Sequence, residues 1–364
     1  MAIYIFKRLA LIPPTLFGII LINFVIVQFA PGGPIEQIVA QVTMGQVSST
    51  QRISGGGDTG MSSEAIQASG SVHSPGTYGL DPDLIDDLKE QFGFDKPFHV
   101  RFFTMIWNYL KFDFGTSFFQ DKPVVDLVIK RLPVSISLGL WSLLLIYAIS
   151  IPLGVRKAVK DGTRFDLWTS SIIFVGYAIP GFLFAILLIV LFAGGSYWEV
   201  FPMRGFHSEG YQEWGWFRQV GDYFWHLALP VLSLTIGGFA YLSMLTKNSF
   251  LEEISKQFVL TARAKGLSER RVLFGHVFRN AMLIVIAGFP AAFVGILFTG
   301  SVLIEVIFSL EGIGLLSYEA VVKRDYPILF GTLYVFTLIS LIMHLVGDLC
   351  YVFVDPRIDF ETRE

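Results

Sequence analysis

Six stretches of this chain, residues 9–29, 134–155, 167–193, 225–246, 281–306 and 330–354, carry at most one charged side chain each. At a rise of about 1.5 Å per residue, a helix of such length crosses a hydrocarbon layer of about 30 Å. A chain of 364 residues has room for two ordinary soluble domains. Its mean hydropathy of +0.60, with only 16% charged residues, puts too much apolar surface on it for a water-facing fold. The runs predict an all-α integral membrane protein. The first is preceded by Lys7 and Arg8, as a secretory leader would be. Its 21 apolar residues exceed the roughly 7–15 of a leader core, and Gln28-Phe29-Ala30 is a poor cleavage site, so it reads as a retained span. The single cysteine, Cys350, excludes an intrachain disulfide.

The basic residues set the orientation. With both termini in the cytoplasm, the inside segments (1–8, 156–166, 247–280 and 355–364) hold 15 Lys and Arg in 63 residues, against 12 in the 158 outside residues. That is the sense of the positive-inside rule. Lys130 and Arg131 point the other way, but they belong to a long outer segment, and such segments cross largely regardless of charge. The net charge of −3 says little about partners; its segregation says more.

Four regions follow: a short cytoplasmic N-terminus with the first span (1–29), a polar outer segment (30–133), a core of five spans (134–354) and a cytoplasmic tail (355–364). The outer segment is too long for a simple connection. Its Ser/Gly-rich part, 48–77, predicts a flexible loop, and Leu84, Ile85, Leu88 and Phe92 predict a short amphipathic helix stopped by Gly93. Trp198, Trp214, Trp216 and Trp225 cluster in and after the outer loop 194–224, as an aromatic belt at the headgroups or as a docking surface. Small residues four apart (Ser233 and Gly237; Gly288 and Ala292; Ala291, Gly295 and Thr299) predict close helix packing, and Pro152, Pro180, Pro230 and Pro290 predict kinks.

Between the fourth and fifth runs lies a basic island, TARAKGLSERRVLFGHVFRNA, residues 261–281. Ile254, Phe258, Val259 and Ala262 share one helical face, Gly266 supplies a left-handed stop, and Ser268 can cap a second helix with Glu269 in its first turn. Val272, Leu273, Val277 and Phe278 continue the apolar face. This helix, glycine turn and helix could rest on anionic lipid, or could be a lever set in a groove of a cytoplasmic partner. A nucleic-acid surface is excluded by the isolation of this one basic loop.

The island resembles the cytoplasmic loop of permease subunits in binding-protein-dependent ABC importers, in the dipeptide and oligopeptide branch. Further matches run along the chain in order: KRLALIPPTLFG and APGGP around the first run, DFGTSF at 113–118, RLPVSISL at 131–138, HLALPVLSL at 226–234, VIFSLEGIGLL at 306–316, RDYP at 324–327 and DPRI at 355–358. The resemblance implies a six-span type I ABC-importer permease fold with a large periplasmic segment after the first span, in a bacterial inner membrane. It implies four kinds of partner besides lipid: a second homologous permease, cytoplasmic ATPases, a periplasmic peptide-binding protein and the peptide itself. Carried over by position, Thr261, Ala262, Arg263, Ala264, Lys265, Gly266 and Leu267 are the ATPase contacts. The family's Glu-Ala-Ala falls here on Leu260, Thr261 and Ala262, so its glutamate has no counterpart. The implied subunit binds no cofactor, ATP being held by its partners, and no Gly-Lys dipeptide of a phosphate loop occurs in the chain.

By polarity and position, Ser233, Gly237, Tyr241 and Thr299 are candidates for the translocation path. His344 and Asp348, four apart on the last run, are either a packing pair or the relay of a proton-coupled carrier or intramembrane enzyme. Glu305 either reaches the outer headgroups or sits at a gate, and Arg324 with Asp325 stabilises an outer loop.

Overall fold

A computed structural model of the chain describes residues 2–29, 96–194, 197–297 and 301–354. The expected 48–77 loop, the expected helix around Leu84–Phe92, Thr299 and the 355–364 tail lie outside the described residues.

Among the described residues, eleven helical segments carry the architecture. They are α1 (Ala2–Phe29), α2 (Phe98–Leu110), α3 (Val124–Val159), α4 (Arg164–Ala178), α5 (Gly181–Phe192), α6 (Trp216–Ile254), α7 (Gln257–Ala264), α8 (Glu269–Gly295), α9 (Ser301–Ile307), α10 (Ile313–Lys323) and α11 (Tyr326–Val354). Five of them are long and apolar enough to cross a membrane, and α4 with α5 makes a sixth span bent by 93°. The six apolar runs thus become the helical frame. Among the described residues the only β pairing is an isolated bridge between Thr116 and Pro123.

The bend has a local cause. Pro180 clashes with a helical residue before it, so Ile179 turns extended (φ −87°, ψ 116°) and the helix restarts at Gly181. Pro152 and Pro230 stay inside continuous helices, whereas Pro290 opens the last part of α8 just after Gly288. Residues 273–277 of α8 are wound as a single π turn.

Helices α1, α3, α6, α8 and α11 all overrun the apolar runs. The 36 residues of α3 start ten positions before residue 134, so Lys130 and Arg131 lie on helix, and the 39 residues of α6 extend both before and after 225–246. These two form the spine. A Cβ on Gly154 would lie 2.6 Å from Thr246 Cβ, and one on Gly238 would lie 2.5 Å from Ile146 Cδ1, so backbone approach there requires glycine.

Helix α2 was not expected from the sequence. Its Phe98 packs edge-on and its Phe102 tilted against Phe24 of α1, and Tyr109 packs edge-on with Phe114 and Tyr334. Leu16 and Ile20 of α1, Val124 of α3, Ile313 of α10 and Ile328 of α11 complete that buried cluster. The loop 197–215 is fastened to α6, where Trp225 Nε1 donates to Val200 O at 2.8 Å and Asp222 accepts from Ser208 N–H at 3.0 Å, and to α5, where Trp198 stacks on Phe192.

Candidate functional site

Helix α7 hangs from the end of α6 and is fixed on one side. Val259 is fully buried and Ala262 is 7% exposed, packed with Phe250, Ala158, Val272 and Val277. Burying a valine contributes about 1.5–3 kcal/mol as an upper estimate. The helix ends in a Schellman turn: Leu267 N–H donates to Ala262 O at 3.3 Å and Gly266 N–H to Arg263 O at 2.9 Å, with Gly266 at φ +78°. Leu267 folds back onto the same apolar cluster.

Across this turn Arg263 donates to both oxygens of Glu269 at 2.8 and 3.2 Å. The pair is exposed and worth at most about 1 kcal/mol, so burial, not the ion pair, holds the element. Lys256, just before α7, pairs with Glu253 at 2.5 Å, and that carboxylate holds its ammonium above the usual lysine range. Ser268 occupies the cap position of α8, but its hydroxyl makes no capping bond; its carbonyl accepts from the N–H groups of Arg271 and Val272.

The expected amphipathic face is therefore present, but it is turned into this chain's own bundle rather than toward a partner. The outward face is Gln257, Leu260, Thr261 and Ala264, at spacing i, i+3, i+4 and i+7, flanked by Arg263 and Lys265. Ala262 faces inward and Leu267 is half-buried, so of the seven expected contacts Thr261, Arg263, Ala264, Lys265 and Gly266 lie at the surface. Leu260, 54% exposed, was missed. Its signal was its helical spacing with Thr261 and Ala264, once Val259 and Ala262 are assigned inward.

A cavity of about 550 Å³ opens between α3, α6 and α8, lined by Tyr147, Tyr241, Leu245, Ile284 and the small residues Gly238, Gly288, Ala291, Ala292 and Gly295. Tyr241, 68% exposed, lines it. Gly237 is exposed beside open space, while Ser233 is buried with its hydroxyl donating to Leu229 O at 2.7 Å. The expected packing stripe also needs correcting. Close approach is made by Gly154 and Gly238, whereas an added Cβ on Gly237 or Gly295 would meet nothing within 4 Å. The small residues of α8 open a groove instead of closing one.

The isolated polar residues find partners. Glu305 does not reach a headgroup layer: it is fully buried, accepting from Ser135 Oγ at 2.7 Å and from the Leu315 N–H at 2.9 Å at the start of α10. Ser135 Oγ in turn accepts from the Ile313 N–H at 2.8 Å. A Cβ on Gly312 would lie 2.3 Å from Glu305 Oε2, which explains the glycine in LEGIGLL. Asp325, only 2% exposed, accepts from Ser117 Oγ at 2.5 Å and so joins the segments DFGTSF and RDYP. Asp348 pairs with Arg8 at 3.1 Å, while His344 Nδ1 lies 2.7 Å from Ser340 O of its own helix, so the two form no relay.

Residues 150–360 match the family described as binding-protein-dependent transport system inner membrane component. Over its whole length the chain is 59% identical to the Peptidoglycan transport system permease protein YejB of Agrobacterium fabrum, covering 100% of both chains. It is 56% identical to the Inner membrane ABC transporter permease protein YejB of Escherichia coli O157:H7, again covering 100% of both. A solved structure of the MetNI methionine ABC transporter, inward facing, shares the fold with a TM-score of 0.50 at 14% identity, covering 63% of this chain and 97% of its own. This bundle of apolar spans with a buttressed basic helix between two of them, matched along its full length, belongs to the inner membrane permease components of binding-protein-dependent ABC transport systems.

Proposed function

We propose that this subunit forms half of the translocation path of an ATP-driven peptide importer and receives thrust from a cytoplasmic ATPase on the outward face of α7. The observation that carries this reading is the construction of α7. Its apolar side is locked into the bundle by Val259 and Ala262, and its Leu260, Thr261 and Ala264 side is left presented between Arg263 and Lys265. A short helix so braced transmits a push instead of absorbing it, and helix-in-groove docking uses such a face. ATP is bound by the partner, so a nucleotide shifts the bundle only through its different affinity for two states of the complex.

The end of the bundle bearing α7 is then cytoplasmic, as are both termini. The groove of Tyr241, Gly288, Ala291, Ala292 and Gly295 faces the second permease and the cargo. A substrate-binding protein delivers from the opposite side. Support for a peptide-bearing cargo comes from the relative named as a peptidoglycan transport permease and from the motifs shared with the dipeptide and oligopeptide branch.

The test is site-directed cross-linking in the assembled complex. Lys265→Cys is expected to link to the ATP-binding subunit, and Tyr241→Cys to the second permease or to a photoreactive peptide. Gly266→Pro, which forbids the observed φ of +78°, is expected to abolish uptake while the protein still reaches the membrane. Absence of any link from Lys265→Cys, with uptake intact in Gly266→Pro, would sink the docking assignment.

A further inference from the structure

Lys157, in the last turn of α3, has no exposed surface. Its three ammonium hydrogens have three oxygen acceptors, Asp166 O at 3.3 Å, Thr169 Oγ1 at 3.1 Å and Ser170 Oγ at 2.6 Å, all on α4. Asp166 Oδ1 lies 3.2 Å away, close enough for an ion pair though not aligned for a hydrogen bond. The other oxygen of Asp166, Oδ2, accepts from Lys247 of α6 at 2.6 Å and from the Gly162 N–H at 3.3 Å. Lys247 also pairs with Asp161 at 2.7 Å. Two cations and two carboxylates, three of them nearly buried, thus knot the adjacent ends of α3, α4 and α6.

Charges taken out of water gain little net stability, and apolar replacements of the same shape are often as stable. What such a knot does supply is fixed mutual position. Its place is informative: Lys247 stands on α6 ten residues before the start of α7, and Ala158, beside Lys157, packs in the cluster that holds Val259 and Ala262. A push on α7 arrives first at these helix ends.

We propose that Asp166 and Lys247 are positioning residues for energy coupling, binding α4 and α3 to α6 so that displacement of α7 moves the three helix ends as one body. Without the Lys247 link, α6 slides past the α3–α4 turn and the bent span α4–α5 is no longer driven. The inference rests on the docking of α7 proposed above.

The experiment uses the assembled transporter in proteoliposomes, with uptake of radiolabelled alanine oligopeptides and ATP hydrolysis measured on the same vesicles. Lys247→Met leaves the Lys157–Asp166 pair balanced, so the bundle retains a neutral core. It is expected to lower peptide carried per ATP about fivefold or more, the lower edge of ordinary coupling between sites, at equal recovery of assembled complex. Lys247→Arg, which keeps the charge, is expected to restore the ratio. Asp166→Asn is expected to lower it at least as far. Should Asp166→Asn fail to assemble, Lys247→Met alone decides. Unchanged peptide per ATP in Lys247→Met, with the Lys265→Cys cross-link intact, would overturn the joint and leave the docking reading standing. Loss of that cross-link in otherwise unmodified protein would overturn the docking reading itself.

Discussion

The two buried ionic sites that α3 joins lie a membrane thickness apart along one rod and are built differently. Ser135 and Lys157 are 22 residues apart, about 33 Å along the helix, or one hydrocarbon thickness. At Lys157 full charges are matched by full charges, with Asp161 of the network half in water (51% exposed). At Ser135 a lone carboxylate, Glu305, is matched by a hydroxyl and by N–H groups at the start of α10, where the helix dipole favours an anion. The first joint depends on charge balance, so removing its buried carboxylate strands a charge. The second depends on shape, since two glycines make room for the carboxylate and neutral donors hold it.

That difference predicts a ranking. Asp166→Asn leaves Lys157 and Lys247 facing each other, and uncompensated buried charge costs about 3–5 kcal/mol; thermal unfolding of the purified complex should show the largest drop of any single change here. Gly312→Ala attacks the other joint sterically, driving a methyl to 2.3 Å from Glu305 Oε2, and should cost about 1–3 kcal/mol. Glu305→Gln keeps size and an accepting oxygen, so a loss of about 1 kcal/mol is expected in the same assay. If Glu305→Gln proved as damaging as Asp166→Asn, the distinction between a charge-matched and a shape-matched joint would collapse. Arg263→Ala, at the exposed turn after α7, should change unfolding by less than about 1 kcal/mol, and any larger effect on uptake would have to come through the partner.

Much of the frame was legible because charge is excluded so strictly from the six runs. The Gly266 stop and the inward pair Val259 and Ala262 were legible too, being local properties of helical spacing. What spacing could not say is whose groove receives an apolar face: the chain's own bundle took it, and the surface left over centres on Leu260. The bend at Ile179–Pro180 was readable as a kink, but its size depends on what the two half-helices pack against. The joints were hidden for a plainer reason. Glu305 meets Ser135 across 170 positions, and Lys157 looked like one more basic residue of an inside loop, with Lys247 90 positions away. Helix α2 was the avoidable miss, since Phe98, Phe102, Met105, Ile106 and Tyr109 already trace a helical stripe.

The Arg8–Asp348 pair has a consequence for biogenesis. A ribosome delivers α1 first and α11 last, so this pair closes only when almost the whole chain has been made. Until then the seam along Leu16 and Ile20 lacks the α11 residues that cover it, among them Tyr334 and Phe336. A chain cut short anywhere upstream is left unclasped, presenting membrane proteases with an open edge that the finished molecule no longer has.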